Sequence, residues 1–199
     1  MVTFPVRDAL RVNSISHEVL DVLESVYPVG FDTDRFQYLL HDTIRKGGQR
    51  GKWHGRSAYT IVEVIQKLIN VFPSDIMKVV DDKGNTPFLT ACQYSSTEVV
   101  EYLIEDDILL DTFCMSSRLL DTQNDRGDTA LHYACRGRNY KVVKYLLNRH
   151  MQLVTKRNAE GDLPVYLLCA AGKYSGRFDD PEHVETIWRL LLAYPEDIS

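Results

Sequence analysis

Asn124-Asp125-Arg126-Gly127-Asp128-Thr129-Ala130-Leu131-His132-Tyr133-Ala134-Cys135 is one copy of a pattern that recurs along the chain. Gly127-Asp128-Thr129-Ala130 has a counterpart in Gly84-Asn85-Thr86-Pro87. A looser copy, Gly161-Asp162-Leu163-Pro164, begins 34 residues after Gly127 (161 − 127 = 34). In the first two copies a Val-Val pair follows at one offset: Val99 is 15 residues past Gly84 and Val142 is 15 past Gly127 (99 − 84 and 142 − 127). A period near 33–34 residues marks small supersecondary blocks that bury their faces only by stacking on neighbours. Such an array encloses no reaction chamber, and its default task is binding.

Within each copy the residue types specify two helices. Thr86 is a good N-cap and Pro87 a good first helical residue, because proline's missing N–H is needed by no partner there. A short inner helix from Pro87 to about Gln93 follows, and Ser95-Ser96-Thr97-Glu98 reads as a capping box for an outer helix ending near Glu105. The next copy repeats this plan with Thr129 as cap and Ala130 to Cys135 as inner helix. Val99, Val100, Leu103 and Ile104 form one apolar stripe, and Val142, Val143, Leu146 and Leu147 repeat it. The stripe recurs upstream as Val64, Ile65, Leu68 and Ile69, and downstream as Ile187, Trp188, Leu191 and Leu192, which places Trp188 in the core. Tyr27-Pro28, Phe72-Pro73 and Tyr194-Pro195 end outer helices, since proline forbids continuation. His17 to Tyr27 reads as a lone outer helix.

These copies resemble ankyrin repeats, whose consensus runs Asp-x-x-Gly-x-Thr-Pro-Leu-His-x-Ala-Ala and then Ile-Val-x-x-Leu-Leu. Asn124 to Cys135 matches nearly throughout, and Asp81 to Cys92 matches with Leu89 in the histidine slot. Asn158 to Tyr166 lacks the threonine cap and the histidine. The resemblance is clearest over residues 81–171. It implies an all-α solenoid with short hairpin fingers, about four helix pairs and an N-terminal half-unit. The expected organisation is an irregular segment 1–13 and a single repeat domain 14–199, with a half-repeat at 14–31 and units at 32–80, 81–123, 124–157 and 158–199. Insertions interrupt it at Gly47 to Arg56, Leu109 to Gln123 and Gly172 to Asp180; in repeat proteins such inserts map to loops, often on a binding face.

Composition is consistent with a packed domain: 44% of residues are hydrophobic, an ordinary value. A net charge of −5 argues against indiscriminate binding to nucleic acid or anionic membrane. No basic segment followed by an apolar run opens the chain, and no apolar run approaches the roughly 20 residues of a membrane span. A monomer in the cytoplasm or nucleus is expected. Cys92, Cys135 and Cys169 share one slot, eight residues after each repeat glycine (92 − 84, 135 − 127 and 169 − 161). Neighbouring helices would hold them about 8–10 Å apart, beyond disulfide reach. They read as small buried residues where helices crowd, and Cys114 as a loop thiol.

Catalytic signals are weak. Gly51-Lys52 is not a phosphate-binding loop: Gly47 to Gly51 is one residue short and Trp53 replaces the hydroxyl. No nucleophile elbow, metalloprotease motif or dinucleotide fingerprint is present. The histidines show no metal-ligand spacing, and the carboxylate pairs adjoin turns, where Asp bonds locally. No enzyme activity, cofactor or metal is expected. The resemblance implies that His132 orders the stack, with His41 as its counterpart.

It also implies a non-catalytic module that binds another protein through finger tips and inner helices. Carried over position by position, the tips are Asp82, Lys83, Asn85, Asp125, Arg126, Asp128, Glu160 and Asp162. The inner helices offer Gln93, Tyr94, Tyr133 and Arg136, and the fourth unit only Ala170 and Ala171. An alternative uses the basic insertion, where Arg45, Lys46, Arg50, Lys52 and Arg56 surround Trp53 and could hold nucleic acid, phosphate or an acidic partner. A third reading is a regulatory repeat fragment of a larger protein.

Overall fold

A computed structural model describes residues 38–48, 60–71, 77, 79–105, 119–175 and 180–194. The expected helix from His17 to Tyr27, segment 1–13, most of the insertions and Cys114 lie outside the described residues.

Four helix pairs follow one another in this range. They are α1 (Leu39–Gly48) with α2 (Ile61–Val71), α3 (Pro87–Tyr94) with α4 (Thr97–Glu105), α5 (Ala130–Arg136) with α6 (Tyr140–Arg149), and α7 (Pro164–Ser175) with α8 (Pro181–Leu192). A 3-10 turn, Met151–Thr155, follows α6. Helices α1, α3, α5 and α7 pack in a row as an inner layer, and α2, α4, α6 and α8 form an outer layer against it. No named strand occurs among the described residues; one antiparallel bridge joins Gln123 to Thr129.

Local chemistry starts these helices. The Leu89 N–H donates to Thr86 Oγ1 at 3.3 Å, and Pro87 occupies the first turn of α3. Asp180 does the same for α8, accepting from the Glu182 N–H at 3.1 Å ahead of Pro181. At α5, His132 Nδ1 takes the Thr129 N–H at 3.1 Å and lies 2.9 Å from its hydroxyl. The box expected at α4 from Ser95 to Glu98 is not made, since the Ser95 hydroxyl has no hydrogen-bond partner. Ser95 closes the preceding helix, its N–H donating to the Ala91 carbonyl, and Ser96 is the hydroxyl that bonds the Glu98 carboxylate and lowers its pKa. Two helices also outrun expectation, with α1 continuing through Gly48 and α7 through Ser175.

The first three outer stripes form the core. Val64, Ile65, Leu68 and Ile69, Val99, Val100, Leu103 and Ile104, and Val142, Val143, Leu146 and Leu147 are all buried. Each such side chain contributes roughly 1.5–3 kcal/mol. The fourth stripe departs from its expected place. Trp188 is 60% exposed and Leu192 81%, with Leu191 also exposed, while His183, Thr186 and Leu190 are buried. The cause is packing on one side only: α8 lies against α6 and α7, and among the described residues no further helix pair follows. Two buried polar groups on that face find partners: the Thr186 hydroxyl donates to the Glu182 carbonyl at 2.7 Å, and His183 Nδ1 lies 3.1 Å from the Tyr140 hydroxyl of α6, while its Nε2 has none. Cys169 is likewise exposed on α7, unlike Cys92 and Cys135, whose thiol pKa values burial pushes up and away from the reactive thiolate.

Candidate functional site

Each of the three described fingers begins with an Asp or Asn that closes its own turn. Asp81 Oδ1 accepts from the N–H groups of Lys83 and Asn85 at 2.9 and 3.0 Å. Asn124 Oδ1 accepts from Arg126 and Asp128 at 3.0 and 2.9 Å, and Asn158 Oδ1 from Glu160 and Asp162 at 3.0 and 2.9 Å. The backbone closes the same loops: Gly84, Gly127 and Gly161 donate to the carbonyls of Asp81, Asn124 and Asn158. These glycines sit at φ 71, 72 and 83°, in the left-handed region that other residues enter only at a cost.

Successive fingers are then bonded to one another. The Asp125 N–H donates to the Lys83 carbonyl at 3.4 Å and the Ala159 N–H to the Arg126 carbonyl at 2.8 Å. Beneath the tips runs a ladder of amides. Asn85 Nδ2 donates to Asp81, Asn124 Nδ2 to Asn85 and Asn158 Nδ2 to Asp128, each at 2.9 Å. Desolvation alone would raise the Asp81 pKa; the donors Asn85 and Lys83 outweigh it and hold the carboxyl below its usual range.

Two histidines tie inner helices to the next finger. His41 Nε2 bonds the Asn85 carbonyl at 2.8 Å, and His132 Nε2 the Asp162 carbonyl at 3.1 Å. A carbonyl on Nε2 and an N–H on Nδ1 fix His132 as the neutral Nε2–H tautomer. Burial lowers the pKa of both rings, and it is the leading cause in each. Leu89 fills the same slot in α3 as a buried side chain.

The expected partner-binding residues separate into two groups. Asp82, Lys83, Asp125, Arg126 and Glu160 are exposed at the tips, Tyr94 is 39% exposed, and Gln93, Arg136 and Asp162 are half-buried. Asn85, Asp128 and Tyr133 depart from the expectation because they are buried. Asn85 and Tyr133 are bonded to each other, and Asn124 Nδ2 reaches the Tyr133 hydroxyl at 3.1 Å. Asp128 is fully buried and pairs with Arg136 at 2.9 Å, whose guanidinium also lies over the Tyr133 ring. These residues set the shape of the fingers. Ala170 and Ala171 are half-buried on α7.

Of the basic set, Arg45 belongs to α1. It pairs with Asp81 at 3.0 Å and lies over the Tyr94 ring. The side chain of Lys46 and all of Arg50, Lys52, Trp53 and Arg56 lie outside the described residues. Local bonding at a turn was expected of Asp81; sequence reading missed Asn124 and Asn158 in the same part, and the legible signal was an Asp or Asn three residues before each repeat glycine.

A family model described as ankyrin repeats (3 copies) matches residues 56–158. The chain belongs to the ankyrin repeat family. No curated protein matches it. Ankyrin repeats are generally protein–protein interaction modules, and the family is typically non-enzymatic. Among the described residues of this ankyrin chain, no helix is long and apolar enough to cross a membrane, and no group of three His, Cys, Asp or Glu side chains could hold a metal ion.

Proposed function

We propose that the chain recognises another protein through the tips and inner helices of a single repeat array spanning residues 14–199. The supporting observation is the bonding of finger to finger. It sets Lys83, Arg126 and Glu160 in one row and Asp82 and Asp125 in another, on a backbone fixed before any partner arrives. Preorganised exposed groups bind with less ordering cost than mobile ones. Tyr94 supplies an aromatic anchor, a residue type enriched at interface hot spots, and half-buried Gln93, Arg136 and Asp162 add polar contacts along the array. The reading places the protein in the cytoplasm or nucleus, as a monomer, with Cys92 and Cys135 used for packing.

The test is affinity capture with mass spectrometry, comparing the wild type with Lys83→Glu/Arg126→Glu/Tyr94→Ala. Arg136 is left intact because its replacement would strand buried Asp128. A protein lost from the triple variant, with its melting temperature unchanged, supports the reading. Capture unaffected by the variant overturns it. Binding through the basic insertion is the alternative reading; of its residues Arg45 is paired with Asp81, and the other basic side chains lie outside the described residues. That alternative predicts binding that weakens steeply with salt as phosphate contacts release counterions.

A further inference from the structure

Among the described residues eight large apolar side chains are exposed, and five of them, Tyr166, Val184, Trp188, Leu191 and Leu192, belong to the last helix pair. Their register shows which way the pair is open. Tyr166 stands five residues after its repeat glycine, the slot from which His132 reaches the following finger. Cys169 stands eight after that glycine, the slot in which Cys92 and Cys135 are buried, yet it is exposed. On α8, which packs on α6 and α7, Val184, Trp188, Leu191 and Leu192 line a side turned away from buried His183, Thr186 and Leu190. Together these side chains expose on the order of 500 Å² of apolar surface, a size that on monomeric proteins marks an interaction site.

The stripe on α8 is matched to a copy of itself. Val184, Trp188 and Leu192 are spaced four and four, so the row reads the same in both directions about Trp188. A second α8 laid antiparallel across it, Trp188 over Trp188, sets Val184 against Leu192 at both ends. The charges obey the same symmetry. Glu185 and Arg189 run along one edge of the stripe, bonded to each other at 2.9 Å and each about half exposed; Lys144 of α6 also lies 3.6 Å from Glu185. In a two-fold antiparallel pair an edge meets the same edge of its partner. That brings Glu185 within a turn of the partner's Arg189, and Arg189 within a turn of the partner's Glu185, opposite charges that fix the register. Closing the two faces on each other buries about 1,000 Å², the lower bound of a specific interface.

We propose that the last helix pair docks on the last helix pair of a second copy, α8 antiparallel to α8, as a two-fold dimer. This goes beyond the finger reading and leaves it intact. Lys83, Arg126 and Tyr94 belong to the second and third units, outside the paired face, and the monomer assigned above is the dilute state.

The test is sedimentation equilibrium of the full chain at loadings from about 1 to 200 μM, spanning the weak end of protein–protein affinity, with alkylation of Cys169 read by mass spectrometry on the same samples. A reversible monomer–dimer equilibrium is expected, with Cys169 alkylated at least threefold more slowly at the highest loading than at the lowest. Trp188→Ser/Leu192→Ser should weaken pairing at least tenfold without moving the melting temperature measured at the lowest loading. Glu185→Arg and Arg189→Glu, each folded by the same measure, should each weaken it at least fivefold. An equimolar mixture of those two variants should pair again, because the changed charges then complement each other. A monomer at every loading overturns the proposal, whether Cys169 reacts freely or is shielded by the chain's own residues. So does assembly beyond a dimer, or a dimer indifferent to Trp188→Ser/Leu192→Ser. A mixture that fails to pair overturns the antiparallel arrangement and the proposal with it.

Discussion

Gly84 and Gly161 share a left-handed backbone but not an environment. A Cβ at Gly84 would run into Asp125 of the next finger, whereas a Cβ at Gly161 would meet nothing within 4 Å. Alanine at either position bears the left-handed cost of roughly 1–2 kcal/mol. Only Gly84→Ala also pushes neighbouring fingers apart, so it should lower the denaturation midpoint clearly more than Gly161→Ala. Equal losses in urea melts would contradict the finger pairing. The buried histidines give a second prediction at this scale. His41, His132 and His183 all have pKa values lowered from 6.5, with burial the leading cause. The unfolded chain therefore takes up protons below about pH 6.5 that the folded chain refuses, and stability falls as pH drops through that range. The depressed Asp81 carboxyl acts separately, at the lower pH of carboxylate titration. Melting temperature should be flat above pH 7 and decline between about pH 6.5 and 5.5; a flat profile there would contradict neutral buried rings.

Among elements, the outer helices illustrate what periodicity reveals and what it hides. The stripes of α2, α4 and α6 were readable because four apolar positions per helix are buried; α4 and α6 each lie between two outer helices. In α8 the same spacing selected Ile187, Trp188, Leu191 and Leu192; Ile187 packs partly buried against the core, yet the buried face is carried by His183, Thr186 and Leu190. Periodicity identifies an amphipathic helix but not whether a second neighbour covers it. Leu146→Asp should accordingly unfold the stack by placing an unpaired charge among buried helices, whereas Leu192→Asp should leave the melting temperature nearly unchanged. Reversal of that order would overturn the assignment of buried faces. The fingers were half-legible for a related reason. The glycine and threonine positions are fixed by backbone geometry and recur visibly. Which tip or inner-helix residue turns inward depends on cross-unit bonds, so Asn85, Asp128 and Tyr133 looked no different from Lys83, Arg126 or Tyr94. Asn124→Ala tests that layer: it leaves the Arg126 and Asp128 N–H groups without their acceptor and removes the donor to Asn85 and Tyr133. A loss of about 2–4 kcal/mol follows if one or two groups stay unsatisfied, measurable by urea denaturation.

For the whole molecule, stability is a chain of nearest-neighbour terms, and the tie between histidine and finger gives that chain a direction. His41 reaches forward to Asn85 and His132 reaches forward to Asp162. Each of these inner helices holds a buried donor whose acceptor lies in the finger that follows. During synthesis the helix leaves the ribosome before its acceptor does. A nascent chain ending at His150 would thus carry the α5 helix with its imidazole N–H still waiting, and closure of that unit lags translation by a repeat. Pausing between α6 and the Asn158 finger would prolong an open, protease-sensitive stage that pausing after Asp162 would not.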